Sequence, residues 1–339
     1  MYSLIPVFNE ETIIEANLNA LEDYMNGYLD SKDWEIIVVN DGSTDKTLEV
    51  LNSVSQVEEW LKVIDLGFHY GRGKALREGI KASLGGIVVS LDADLSYAPY
   101  HIERMVSALK RENCDIVLAS AYCKGGTVKD VPSKRLWISK IGNKILSYMF
   151  GEGLAVLTCV VRAYKSGFVK NLDLHSDDKE IHLEILYKAK VLNARIYEVP
   201  ADLVWPEWKT RKRTSDKTSM RRSTIKIKDT SATHLFFALL NRPGMVFWVP
   251  GYILMFISFA VFLVTFKSMA SYIAIGNTIY DSIRTSMMEA SVSWLTIAFS
   301  FLLGIQFFTL GFLTSQNKTN YEEIYKTLNT IISEVKKKG

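Results

Sequence analysis

Cysteine is scarce in this chain: Cys114, Cys123 and Cys159 are the only three, and no pair has CxxC spacing. An odd, sparse set of thiols argues against a disulfide framework or a cysteine zinc site and suits a reducing compartment. Net charge is also small, +3 from 40 basic and 37 acidic residues, so the chain as a whole is no polycation. Charged residues are missing altogether from two long apolar stretches, 246–266 and 292–314. No signal peptide is read at the start, because Met1 to Phe8 runs directly into a strand-like segment. Basic charge is concentrated instead at Lys209, Arg211, Lys212, Arg213, Lys217, Arg221, Arg222, Lys226 and Lys228. Such a run binds anionic lipid, binds nucleic acid or sets membrane topology.

The first half of the chain alternates between strand and helix patterns. SLIPVF (3–8) reads as a strand and an amphipathic helix follows over 10–28. WEIIVVN (34–40) is a continuous apolar run, expected of a strand buried on both faces. Asp41 to Asp45 form a turn, with Ser43 or Thr44 as the cap of the next helix. Further strands are read at LKVIDLG (61–67), GIVVSLDAD (86–94) and CDIVLAS (114–120), with helices opening at Gly71 and Pro99. This alternation predicts a mostly parallel sheet covered by helices on both faces, an α/β domain of Rossmann-like character. Ligands of such sheets sit at the carboxyl ends of the strands, where Asn9, Asp41 and Asp92 fall.

Asp92 and Asp94 end an apolar strand one residue apart. Two acids there are expensive unless something binds them. Hard oxygen ligands suit Mg²⁺ or Mn²⁺, which favour a few carboxylates together with substrate phosphates.

The stretches 246–266 and 292–314 are each long enough to span a bilayer as a helix. Phe247, Trp248 and Trp294 suit the interfacial aromatic belt. The basic cluster precedes the first stretch and Lys336 to Lys338 follow the second, while 267–291 carries only Lys267 and Arg284 as bases. The positive-inside rule then places both termini and the α/β domain on the cytoplasmic side. Ile225, Ile227, Leu235, Phe236, Leu239 and Leu240 stand among bases, as in an amphipathic helix lying on a membrane surface or a connecting helix packed on the domain. The expected organisation is a catalytic domain over 1–220, a juxtamembrane helix over 221–243, two transmembrane helices within 244–316 and a basic cytoplasmic tail over 317–339.

IPVFNEE (5–11), VVNDGSTDKT (38–47), GRGKALREGI (71–80) and LDADLSYAP (91–99) together resemble family 2 glycosyltransferases of the GT-A fold. GGTVKDVPSKRLWISKIGNKIL (125–146), TCVVRAYKSG (158–167) and EILYKAKVLNARIYEVPADLVW (184–205) resemble, more narrowly, the dolichyl-phosphate mannose synthase and polyprenyl-phosphate glycosyltransferase branch. The resemblance implies that Pro6, Asn9, Glu10 and Asp41 hold the base and ribose of a GDP- or UDP-sugar. It implies that Gly71 and Gly73 let backbone approach the nucleotide, and that Arg72 or Lys74 faces the diphosphate. Asp92 and Asp94 would coordinate the metal, with Asp94 counted among the catalytic residues alongside Arg135 and Arg213. Arg135, Ser139, Arg211 and Lys217 would hold the acceptor phosphate, and Glu184 matches a helical Glu of the family.

Two departures are visible. Ser96 stands where many members have a metal-contacting Gln, though its hydroxyl can still reach metal-bound water. Ala121 stands where many have Arg, which removes one phosphate contact. The expected activity is inverting transfer of one sugar, mannose or glucose, to a polyprenyl or dolichyl phosphate at the bilayer. Another lipid or protein acceptor, or a non-catalytic scaffold that binds sugar nucleotide, remains as the alternative. A processive synthase would carry Gln-x-x-Arg-Trp, and none of Gln56, Gln306 and Gln316 begins that pattern. Nucleic acid is not expected as a partner, because the basic cluster abuts a span and lacks interleaved stacking aromatics. Oligomeric state is left open.

Overall fold

The computed structural model describes residues 1–30, 33–151, 153–205 and 242–338, which belong to two compact units. Nine strands lie in the first: β1 (Tyr2–Val7), β2 (Glu35–Asn40), β3 (Leu61–Asp65), β4 (Ile87–Ser90), β5 (Ile116–Ser120), β6 (Thr127–Lys129), β7 (Arg162–Lys165), β8 (Ile196–Pro200) and β9 (Asp202–Val204). Seven form one sheet in the order β3-β2-β1-β4-β7-β5-β8, and β6 pairs with β9 in a small second sheet. Every pairing is parallel except the two made by β7. The mostly parallel sheet is as expected, but β7 was not anticipated. Its four residues include Arg162, which hides the apolar signal. That guanidinium is fully buried and donates to the carbonyls of Leu157, Cys159 and His182 at 2.7, 2.8 and 2.9 Å.

Helices α1 (Ile14–Tyr28), α2 (Thr47–Ser55), α3 (Arg72–Ala82), α4 (His101–Arg111), α5 (Ser133–Phe150), α6 (Ser166–Val169) and α7 (Ile181–Val191) cover the sheet. The alternation of β2 shows why its centre, Ile36 to Val39, is apolar throughout. Ile36 and Val38 join a core with Leu18 and Leu21 of α1, Leu51 of α2 and Met105 of α4. Ile37 and Val39 join the opposite core, with Leu76 and Ile80 of α3, Leu146 of α5 and Ile185 of α7. Each face of the strand is buried, and the buried polar side chain at its end, Asn40, donates to Asp65 at 2.8 Å. Helix α1 starts later than the expected residue 10, because the N–H groups of Ile13 and Ile14 both turn back onto the Glu10 carbonyl. The cap of α2 also differs: Lys46, rather than Ser43 or Thr44, holds the cap position, and Asp45 just before it accepts the Thr47 N–H at 3.0 Å.

The second unit contains α8 (Pro243–Ala274), α9 (Ile279–Glu289) and the start of α10 (Ser291–Lys338). Helices α8 and α10 are long and apolar enough to cross a membrane. Both extend past the stretches read from sequence. The segment expected as a basic tail continues α10 to Lys338, and the connection holds α9. At about 1.5 Å per residue, α10 far exceeds the roughly 30 Å of a bilayer core. The two long helices approach closely at glycines. A Cβ on Gly304 would lie 2.9 Å from Met255, and one on Gly311 would lie 2.4 Å from the Trp248 ring. Small residues at such crossings let backbones meet where no hydrophobic force drives association.

Candidate active site

Strand order reverses between β1 and β4: β2 and β3 extend the sheet on one side of β1, and β4 returns to the other. A crevice opens at such a switch point. Here a proline starts it. The β1–β4 ladder ends where the Leu91 N–H bonds the Leu4 carbonyl at 2.9 Å. The next donor on that edge of β1 would be residue 6, and Pro6 has none. On its other edge β1 stays paired with β2 through Val7. The chain after Leu91 is therefore released into a turn. Leu95 adopts φ 47°, its N–H bonds the Asp92 carbonyl at 3.2 Å, and Asn17 of α1 donates to the Ala93 carbonyl at 2.8 Å.

That turn displays Asp92 and Asp94 on the crevice. Arg72, from the first turn of α3, reaches to 3.8 Å from Asp92, whereas Lys74 turns aside to Glu78 at 2.8 Å. Of the two cations expected at a diphosphate, the fold directs Arg72 to Asp92. Ser96 stands against the second of the two aspartates. Its hydroxyl and N–H both donate to Asp94 Oδ1, at 2.5 and 2.9 Å, and fix that carboxylate.

Asn9 adopts φ 57°, and its side chain accepts the Thr44 N–H at 2.8 Å while its own N–H bonds Ser43. The Glu10 N–H bonds the Thr47 hydroxyl. Asn9 thus joins the loop after β1 to the loop after β2, and Glu10 joins it to the first residue of α2. Asp41 is almost wholly buried. Its carboxylate accepts the N–H groups of Tyr70 and Gly71 and lies 2.8 Å from His69 Nδ1. His69 stacks on Phe8 at 4.0 Å, with Tyr70 also exposed beside it. This aromatic rim was not read from the sequence. Its only signal was the run FHY (68–70) before Gly71.

Gly71 and Gly73 serve packing within the fold. A Cβ at either would strike the backbone of the 176–178 loop, 2.5 Å from Asp177 O at Gly71 and 2.4 Å from Ser176 O at Gly73. Gly71 also holds φ 116°, a region that excludes other residues. The loop is fastened by Glu184, whose carboxylate accepts the N–H groups of His175 and Ser176 at 2.9 and 2.8 Å and pairs with Lys188 at 2.6 Å. Burial pushes the Glu184 carboxyl up, but the Lys188 bond and the two N–H donors outweigh it and hold it below 4.5. Glu184 is therefore a buried clamp behind Arg72.

On α5, Arg135 lies over the Trp205 ring at 4.6 Å, and the Ser139 hydroxyl meets the Tyr122 hydroxyl at 2.9 Å. Asn143 faces inward and accepts the Leu157 N–H. Arg211, Arg213, Lys217 and nearly all of the juxtamembrane helix expected at 221–243 lie outside the described residues. A different amphipathic face is present on α5. Trp137, Ile138, Ile141, Ile145 and Tyr148 are exposed, opposite the buried Asn143, Leu146 and Phe150. The spacing was legible, but an apolar stripe alone reads as core.

The sheet order, the switch-point crevice and the Asp-x-Asp turn define a GT-A-type domain. Residues 3–173 match the model of "Glycosyl transferase family 2", and the chain belongs to that family. Among curated proteins it is 31% identical over 192 residues to the undecaprenyl-phosphate 4-deoxy-4-formamido-L-arabinose transferase of Pectobacterium carotovorum subsp. carotovorum (strain PC1), covering 54% of each chain. It is 30% identical over 204 residues to the dolichol-phosphate mannosyltransferase of Pyrococcus furiosus, covering 58% of this chain and 54% of the other. The chain thus spans about half the length of these relatives. A solved glucosyl-3-phosphoglycerate synthase from Mycobacterium tuberculosis, in complex with Mn²⁺, UDP and phosphoglyceric acid, superposes on 60% of this chain and 68% of its own, at TM-score 0.46 and 19% identity.

Proposed function

We propose that this protein is a membrane-anchored, inverting glycosyltransferase that moves one sugar from a GDP- or UDP-sugar to a polyprenyl or dolichyl phosphate. The observation that carries the reading is the neighbourhood of the crevice. Asp92, Asp94 and Arg72 stand at the switch point, and the same domain presents an amphipathic helix whose exposed face is apolar. Helix α5, with Lys134, Lys140 and Lys144 beside that face, suits the surface of an anionic bilayer. The spans α8 and α10 anchor the chain, and the charge pattern favours a cytoplasmic catalytic domain with both termini on that side.

The donor set fits a divalent cation. Asp92 and Asp94 offer two hard carboxylates. Two carboxylates are a set that Mg²⁺ or Mn²⁺ can complete with diphosphate oxygens and water. Such an ion, when bound, neutralises charge on a departing nucleoside diphosphate. Ser96 keeps Asp94 oriented, Arg72 adds a cation at the crevice, and the Glu184 clamp keeps the first turn of α3 in place. A lipid phosphate is already an anion at neutral pH, so the chain's task is to align the phosphate oxygen with the anomeric carbon and no general base is assigned.

The test pairs radiolabelled nucleotide sugars with dolichyl and undecaprenyl phosphate, with Mn²⁺ or EDTA, beside Asp94→Ala. Label should enter the organic phase from one donor and disappear with EDTA and in the variant. Metal-dependent nucleotide binding without transfer would replace this reading by another acceptor or a non-catalytic scaffold.

A further inference from the structure

Helix α10 does not stop where its apolar stretch stops but runs on without a break to Lys338. On this extension Tyr321, Ile324, Leu328, Ile331 and Val335 recur at alternating steps of three and four. That is the a/d spacing of a heptad, whose period keeps one seam on one side of a supercoiled helix. Asn317 and Lys338, at the d positions before and after, bound the stripe. All five of its side chains stand in the open, 50% to 66% exposed. The half-buried positions nearby, Glu322, Tyr325 and Asn329, fall on a different face of the helix, so the stripe is not the side that the chain itself covers. Charge is arranged around it. Of the six charged residues from Glu322 to Lys337, five take the outer b, c and f positions. The flanking e and g positions hold Tyr325, Thr327 and Ile332, with Glu334 the one charge among them. Identical copies brought together in parallel therefore set no like charges against each other across the seam.

We propose that this extension is a docking surface for further copies of the same chain, joined as a parallel, in-register coiled coil. The proposal goes beyond the catalytic reading and does not depend on it. Two features choose a copy as the occupant. One is the charge pattern just described. The other is continuity with a helix long and apolar enough to cross a membrane. Copies crossing one bilayer the same way leave it on the same side, pointing the same way, with Tyr321 to Val335 at the same height. Direction and register are thus set before the helices meet. A seam this short is weak between helices free in solution. Confinement to a bilayer raises the effective concentration of one copy around another and offsets that weakness. Leu328 at an a position between Ile324 and Ile331 at d positions favours three or four strands over two.

The test uses the full chain with Cys123→Ser, which leaves only the buried Cys114 and Cys159. Single cysteines are then placed along the extension, and membranes are treated with a bismaleimide. Ile324→Cys, Leu328→Cys, Ile331→Cys and Val335→Cys should crosslink between copies on a denaturing gel. Lys326→Cys and Asn329→Cys, at f and b, should stay monomeric. Leu328→Lys/Ile331→Lys puts unpaired charge into the seam while keeping good helix formers, and should cut crosslinking of Ile324→Cys roughly tenfold or more. Leu328→Ile should leave it near the parent level. Mass photometry in nanodiscs should show three or four chains per particle for the parent and fewer for the lysine variant. Single chains in the parent, or crosslinking equal at every position as random collision gives, overturns the proposal. Crosslinking at Leu328→Cys alone would mean antiparallel pairing about the centre of the stripe, and overturns the parallel bundle. Assemblies that survive the lysine pair are held elsewhere in the chain and overturn the seam. Two chains per particle with the alternating pattern overturns the strand number.

Discussion

Asp41 accepts the backbone N–H of Gly71 on both carboxylate oxygens, at 3.1 and 2.9 Å. One buried side chain thereby ties the end of β2 to the start of α3, the turn that carries Arg72. Asparagine keeps the shape but turns one acceptor into a donor facing another donor. Asp41→Asn should lose about 1–3 kcal/mol of stability and raise the donor KM. Chemical denaturation and donor titration read the two effects, and a variant as stable as the parent would deny Asp41 this role.

Gly73 and Gly142 give opposite outcomes for the same added methyl. Gly73 faces the backbone of Ser176 and Asp177, while a Cβ on Gly142 meets nothing within 4 Å. Gly73→Ala should destabilise by about 1–3 kcal/mol through overpacking. Gly142→Ala, within α5, should be neutral or stabilise by about 0.5–1 kcal/mol. Thermal melts of the pair test the packing account, which fails if both variants shift the same way.

The Glu184 clamp has a pH signature. Its folded-state pKa lies below 4.5, so its stabilisation is fully present above that value and is lost as pH falls through the folded pKa. The stability difference between the parent and Glu184→Gln should therefore be largest near neutral pH and shrink on acidification below 4.5. Urea unfolding across that range measures it. A difference independent of pH would mean that the charge does not matter.

Arg135 over Trp205 calls for a planar cation. Lysine keeps the charge but not the flat stacking surface. Arg135→Lys should weaken the contact by roughly 0.5–1 kcal/mol, and the acceptor KM should rise while the donor KM stays near that of the parent. Equal effects on both substrates would place Arg135 outside acceptor binding.

Much of this site was legible because its residues lie at strand ends. Apolar runs located β1, β2 and β4, and their last residues had to face the crevice. The parts that were not legible depend on contacts distant in sequence. Glu184 was placed on a helix by resemblance, but its clamp was not legible because its partners, His175 and Ser176, belong to a loop that carries no periodic signal. The close packing of Gly71 and Gly73 against residues 176–178 was not legible either, because those neighbours lie about a hundred positions away in the chain. The aromatic rim of Phe8 and His69 joins residues from two separate strand ends. Strand β7 was concealed by the buried Arg162, whose carbonyl partners no local pattern reveals. The exposed face of α5 was hidden because a helix apolar on two sides looks simply buried.

Pro6 gives the crevice a covalent origin. Ring closure on one nitrogen removes a hydrogen atom from the edge of β1, and with it the bond that would have zipped Asp92 into the sheet. Any other residue there would return that donor to the edge and invite the strands to pair one step further. The gap that exposes the two aspartates is thus held open by an atom the polymer lacks, at a position where tighter pairing would close the site.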